Sequence, residues 1–165
     1  MGILYPAAAS QTAEEAWARL VRRWGPEAYR SPAIPFRWSD YYDGEMGTPI
    51  IRSLRSFRDP VDPAALAEIK IYTNEIEREF SVDGRRRVNF DPGLLFLSRL
   101  ILATTKDRSH RLPLKDGIYG ELTLMYEGGG WKALPWTYPD YRTPEYAAAL
   151  TEMRNLHKAR RKREE

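Results

Sequence analysis

The chain has no cysteine and only two histidines, His110 and His157, among 165 residues. Without thiols there are no disulfides, no cysteine nucleophile, and no zinc–cysteine or iron–sulfur site. Two histidines are too few for a multi-histidine zinc or iron centre, and no haem site is expected. Any metal is then an oxygen-liganded cation such as Mg²⁺. No P-loop, GxGxxG, GxSxG or HExxH motif occurs. Gly128–Gly130 reads as a hairpin turn and not a phosphate cradle, because no helix follows it. The aromatic signature of RNA-recognition motifs is absent from the candidate central strands. No apolar run reaches the ~18 residues a membrane span needs. The opening MGILYPAAAS has no basic flank and reads as a first strand, not a signal peptide. It also lacks the Ser/Thr of a myristoylation site. A cytoplasmic protein without membrane contact is expected.

Hydrophobic residues make up 42% of the chain and aromatics 12%, enough for a packed core. The length suits one domain, placed over 1–150, with residues 151–165 as the basic end of a C-terminal helix or tail. The net charge of +3 sits entirely in that end. Residues 152–165 hold six Lys/Arg against three Glu, which leaves 20 basic and 20 acidic residues elsewhere. A basic tail can dock on nucleic acid or can be a solvated helix end whose cations suit the C-terminal dipole. The neutral body disfavours nucleic acid.

Residues 2–5 read as a strand. Thr12 and Glu15 form a capping box ahead of Ala16, Trp17, Leu20, Val21 and Trp24, so a helix is expected over 12–24, stopped by Gly25-Pro26. Residues 28–38, with Pro32 and Pro35, read as an irregular edge strand. Residues 39–49 form a loop and 50–57 a strand. Asp62-Pro63 opens a second helix over 63–80. Residues 86–90 are a strand running into the Asp91-Pro92-Gly93 turn. The order is β-α-β-β-α-β. The expected fold class is α+β, a ferredoxin-like βαββαβ core extended by an antiparallel β-hairpin and a C-terminal helix. Residues 94–103 suggest a helical turn entering a buried strand. The hairpin comes from the alternating stretch 117–127, the glycine turn and 131–135. Thr143-Pro144 opens the last helix, which runs to about 160.

Candidate functional residues fall in short polar segments. Lys70, Asn74 and Glu77 share a helix face, which either points into a site or meets solvent. In 104–111, TTKDRSHR, Lys106, His110 and Arg111 suit phosphate or carboxylate, or form a solvated turn. His110 is the natural proton-transfer group, with Lys106 and Asp91 as further catalytic candidates. Arg87, Asn89 and Asp91 alternate onto one face of a strand while Val88 and Phe90 take the other. Loop 39–47 offers Asp40, Asp43 and Glu45, with a spacing that matches no metal motif. In 136–142, Trp136, Tyr138 and Tyr141 surround Asp140 beside Arg142. Such aromatics stack on bases or cap a core.

Together DYYDGEMG (40–47), EIKIYTNEIE (68–77), RRVNFDPG (86–93), LATTKDRSHR (102–111), GIYGELTLMY (117–126) and LPWTYPDYRTPEY (134–146) resemble the bacterial domain-of-unknown-function family 4416. The resemblance covers nearly the whole chain. It implies a small stand-alone bacterial protein and assigns no activity.

Three functions fit these residues. The first is an enzyme or binding protein for a phosphorylated or nucleotide-like small molecule. Lys70, Arg87, Lys106, His110 and Arg111 would contact the anion, and Asp91, Glu121 or Asp140 would hold Mg²⁺ or act as base, all on one concave pocket. Asn74, Asn89 and Tyr138 complete the expected binding set. The second is a structural or adaptor protein whose polar motifs are internal networks. The third is an RNA-binding module using the sheet, the aromatic loop and the tail.

Overall fold

In the computed structural model residues 1–164 are described. The chain gathers into two units, Met1–Pro92 and a second beginning at Gly93. Helices and antiparallel sheets in both make this an α+β protein.

The first unit runs β1 (Gly2–Pro6), α1 (Ser10–Trp24), β2 (Glu27–Arg30), β3 (Ile34–Pro35), α2 (Asp43–Met46), β4 (Ile50–Phe57), α3 (Leu66–Glu79) and β5 (Asn89–Asp91). Its strands lie in the order β2-β4-β1-β5, with β3 also on β4, and all these pairings are antiparallel. β1 is buried along its length because both its faces are covered. Ile3 and Tyr5 join Trp17 and Leu20 of α1, Ile76 of α3, and Val88 and Phe90. On the opposite face Leu4 meets Met46 and Ile50. The alternation predicted for Val88 and Phe90 therefore sends both into the helix-covered core, where each is fully buried.

Helix starts follow local chemistry only in part. Asp62 accepts a hydrogen bond from the Ala64 amide at 2.9 Å, and a 3₁₀ turn over Pro63–Ala65 leads into α3. The Thr12–Glu15 capping box does not form. Ala7–Ala9 make a 3₁₀ turn that runs straight into α1 at Ser10, so Thr12 already lies inside the helix. The expected edge strand 28–38 breaks into β2 and β3. Loop 39–49 contains the single turn of α2. The strand expected over 86–90 is shifted to β5.

The second unit holds β6 (Gly93–Leu95), β7 (Arg99–Thr104), β8 (Leu112–Lys115), β9 (Ile118–Glu127), β10 (Gly130–Ala133) and α4 (Pro144–Glu164). The sheet order is β10-β9-β7-β6, with β8 also on β9. The predicted hairpin forms, with Gly128 and Gly129 at φ of 58° and 82°, the left-handed region where glycine is unstrained. The expected helical turn before β7 is instead the strand β6, paired to β7. β8 was not predicted, since its Pro113 argues against a regular strand.

β7 lines one edge of β9 from Tyr119 to Met125. β8 covers the other edge at 118–120 and β10 covers it at 124–127. The carbonyls left between them are taken by the following loop. Trp136 Nε1 donates to Leu122 O at 2.8 Å, and the Thr137 hydroxyl donates to Thr123 O. α4 then packs with Tyr146, Ala149, Leu150 and Met153 buried. Its first tail cation belongs to the fold: Arg154 donates to Leu97 O at 2.7 Å and lies 3.7 Å over the Tyr126 ring. Lys158, Lys162 and Arg163 are exposed. Among the described residues no helix is long and apolar enough to cross a membrane.

Gly93 marks a tight backbone contact. A Cβ there would sit 2.6 Å from Ile101 O and 2.7 Å from a Leu102 methyl. Gly93→Ala is expected to cost about 1–3 kcal/mol. Gly44→Ala, with nothing within 4 Å of the new methyl, should be neutral or stabilising by up to about 1 kcal/mol. Urea unfolding of the two variants distinguishes them, and equal effects would contradict the β6–β7 packing.

Candidate functional site

β5 is the last strand of its sheet, so one of its edges has no strand partner. In the antiparallel register Ile3↔Phe90, the Phe90 N–H and C=O face that edge. α3 satisfies both. Glu77 Oε1 accepts the Phe90 amide at 2.7 Å, and Lys70 Nζ donates to Phe90 O at 2.7 Å. The two side chains are 3.9 Å apart and nearly fully buried. The spacing of seven places them two helical turns apart on one face. Sequence suggested a site or a solvent face here; the pair closes a sheet edge instead. Burial pushes the Glu77 carboxyl above its ordinary range, against the opposing pull of Lys70 and the Phe90 amide.

The network continues through Arg86. Its guanidinium grips Glu45, with Nε to Oε1 at 2.8 Å and Nη2 to Oε2 at 2.6 Å. Arg86 Nη1 donates to Asn89 Oδ1 at 2.8 Å and lies 3.6 Å from Glu77. Asn89 donates to Asp91 Oδ1 at 3.2 Å, and Arg52 Nη1 donates to Asp91 Oδ2 at 2.6 Å. Arg52 lies opposite Leu4 and Asp91 opposite Gly2, so this bond crosses β1 diagonally, toward a position that carries no side chain. Burial raises the Asp91 carboxyl, but Arg52 and Lys70, with the bonds from Arg52 and Asn89, outweigh it and hold it below its ordinary range. Hydrogen bonds from Arg86 likewise depress Glu45. Burial, with Asp91 nearby, lifts the Tyr42 phenol well above its ordinary value. Three cations (Lys70, Arg86, Arg52) meet three carboxylates (Glu77, Glu45, Asp91), so the cluster is charge-balanced.

The second unit holds a different group. Glu121 is 2% exposed. Its Oε2 accepts from Arg111 Nε at 2.7 Å and lies 2.9 Å from His110 Nε2. The His110 ring stacks on Trp136, with centroids 5.0 Å apart and planes 14° off parallel. Arg111 also donates to Lys106 O and to the Tyr138 hydroxyl, each at 2.8 Å. Interactions with Glu121, and then Tyr138, outweigh burial and raise Arg111 above its ordinary value. The group is thus a fixed imidazole beside a buried carboxylate, under an aromatic cover, and it suits proton transfer or hydrogen bonding at the ring.

Of the residues singled out in sequence, Lys70, Asn89 and Asp91 meet in the first unit and His110, Arg111, Glu121 and Tyr138 in the second. Asn74 is half-buried on α3 and takes no part in the Phe90 bonds. Arg87 is half-buried ahead of β5, and its neighbour Arg86 is the arginine bonded to Asn89. Asp140 is buried and accepts from the Tyr146 hydroxyl at 3.2 Å, fixing the entry to α4. The Lys106 side chain is exposed on its loop. Among the described residues no cluster of three or more His, Asp or Glu is placed to hold a metal ion. Sequence reasoning missed Arg52 and Arg86. Arg52 had a readable signal, because it occupies an inward place between Ile50 and Leu54 where an apolar residue is expected.

Two antiparallel sheets with helices and internal ion-pair networks define an α+β protein. The family model of Domain of unknown function (DUF4416) matches residues 1–157, and the chain belongs to that family. No curated protein and no solved structure matches the chain.

Removing one member of the edge pair should be severe. Glu77→Ala strands Lys70 and the Phe90 amide and is expected to cost about 3–5 kcal/mol in urea unfolding. Glu79→Ala, whose exposed partner is Arg19, should cost no more than about 1 kcal/mol. A mild Glu77→Ala would disprove the edge cap.

Asp91 also sets a pH dependence. Its folded pKa lies below the unfolded one, so the folded state binds the proton less readily. The stability it contributes is complete above about pH 4 and is lost as pH falls through the depressed value. Asp91→Asn should therefore flatten the loss of stability on acidification below about pH 4. An unchanged acid limb would count against the Arg52–Asp91 pair.

Proposed function

We propose that the second unit carries a small-molecule centre for a phosphorylated or nucleotide-like ligand, built on His110, Glu121, Arg111, Trp136 and Tyr138. The observation that carries this reading is the clamped histidine. Its Nε2 is 2.9 Å from a buried carboxylate and its ring is stacked on an indole, which fixes the imidazole and leaves Nδ1 for a ligand. Nδ1 is then the proton-transfer atom if the ligand reacts. The exposed Lys106 and Arg108 on the same loop supply phosphate contacts, and Mg²⁺ would arrive with the phosphates. The first unit favours a structural role for its polar motifs, because Lys70, Glu77, Arg86, Asn89 and Asp91 satisfy one another. A ferredoxin-like reading of that unit is supported by the strand order β2-β4-β1-β5 with helices between β1 and β2 and between β4 and β5. The family resemblance and the lack of cysteine favour a bacterial, cytoplasmic protein. An RNA-binding role through the basic end of α4 is less favoured, since Arg154 is already committed to the fold.

Thermal melting with nucleoside mono-, di- and triphosphates, with and without Mg²⁺, tests this centre. A ligand at 100 times its Kd adds about 2.7 kcal/mol, a rise of several degrees in Tm. His110→Ala should abolish most of that rise. No shift with any nucleotide would sink the proposal.

A further inference from the structure

The hydrogen bonds already made around His110 restrict what a ligand can be offered. Arg111 has committed all three guanidinium nitrogens: Nε to Glu121, Nη1 to Lys106 O and Nη2 to the Tyr138 oxygen. The residue that sequence marks as an anion binder is turned inward. Glu121, 2% exposed, is the ion-pair partner of this arginine and accepts its Nε–H. The His110 nitrogen facing it at 2.9 Å must therefore carry the proton. In the neutral ring this tautomer makes Nδ1 an acceptor. Tyr138 accepts from Arg111, so its own O–H is left to donate, from a side chain 45% exposed. Trp136 spends its N–H on Leu122 O and has only its π face to offer, at 37% exposure.

Resting on the small-ligand reading above, we infer that the centre recognises its ligand by a planar, uncharged ring rather than by phosphate. One edge of the ring gives a hydrogen to His110 Nδ1 and takes one from the Tyr138 hydroxyl, and the ring lies against Trp136. A nucleobase has this chemistry: adjacent donor and acceptor groups on a flat π system. Phosphates, where present, extend to Lys106 and Arg108 and add affinity without setting selectivity. His110 and Tyr138 are the specificity-determining residues, and Arg111 and Glu121 are positioning residues that fix which proton each of them presents.

Calorimetric titration of the full chain with the four common nucleosides, their 5′-monophosphates, ribose 5-phosphate and pyrophosphate decides this. At least one nucleoside is expected to bind, and the matching nucleotide to bind at least tenfold more tightly than ribose 5-phosphate or pyrophosphate. Tyr138→Phe and His110→Ala should each weaken the nucleoside about tenfold, the worth of one well-made hydrogen bond. Both variants are checked for a native melting transition, and Tyr138→Phe removes only one oxygen. Ribose 5-phosphate or pyrophosphate binding as tightly as the nucleotide would overturn ring recognition and leave the ligand centre standing. Undiminished nucleoside binding in both variants would also overturn it. No binding by any probe would overturn the centre and the inference together.

Discussion

The backbone of Phe90, held between Lys70 and Glu77, is the constraint on which the first unit depends. A terminal strand presents unpaired amides and carbonyls, and here a helix supplies one charged donor and one charged acceptor to the same residue. Isolated, either buried charge would be costly; as a pair bonded to a peptide group they are tolerated. The consequence propagates. Fixing β5 fixes Asn89 and Asp91, which then collect Arg86 and Arg52. Arg86 in turn ties α2 to the strand through Glu45. The polar residues of this unit are therefore an assembly device, and the apolar cluster around Phe90 lies directly behind it.

The second unit applies similar economy to a different problem. β9 is ten residues long, but the strands on one of its edges are short and leave its centre uncovered. Side chains of the loop that follows β10 complete that edge. The same loop thereby delivers Trp136 to His110 and Tyr138 to Arg111. The aromatic cover is thus positioned by the sheet's own need for hydrogen-bond partners, and the imidazole under it is held by Glu121.

Much of the fold was legible where the signal is local. The strand at Ile50–Phe57, the Asp62-Pro63 helix start and the glycine hairpin all follow from chemistry within a few residues of where it acts. Failures came where a distant or neighbouring element decides. Thr12 has every local mark of a cap, yet the alanines before it extend the helical path past it. β8 carries a proline that argues against strand, and pairing with β9 overrides it. The row containing Lys70 and Glu77 read as a site or a solvent face because helix periodicity records spacing and not the backbone group twenty residues away. Polar groups in unusual places are visible in sequence, and Lys70, Asn89, Asp91, Arg111 and Glu121 do enter side-chain networks. Their partners were not visible there. Arg86 and Arg87 are adjacent arginines, and only the true start of β5 determines which one joins Asn89.

The contacts that anchor the aromatic loop have a bearing on how this protein can vary. Trp136 and Thr137 bond to main-chain carbonyls of Leu122 and Thr123, not to their side chains. A peptide carbonyl is the same whatever residue carries it. A change of side chain at 122 therefore leaves the acceptor for the Trp136 indole in place, and the requirement falls on Trp136 and Thr137, which supply the donors. The sheet thus holds the loop by groups that every residue type carries.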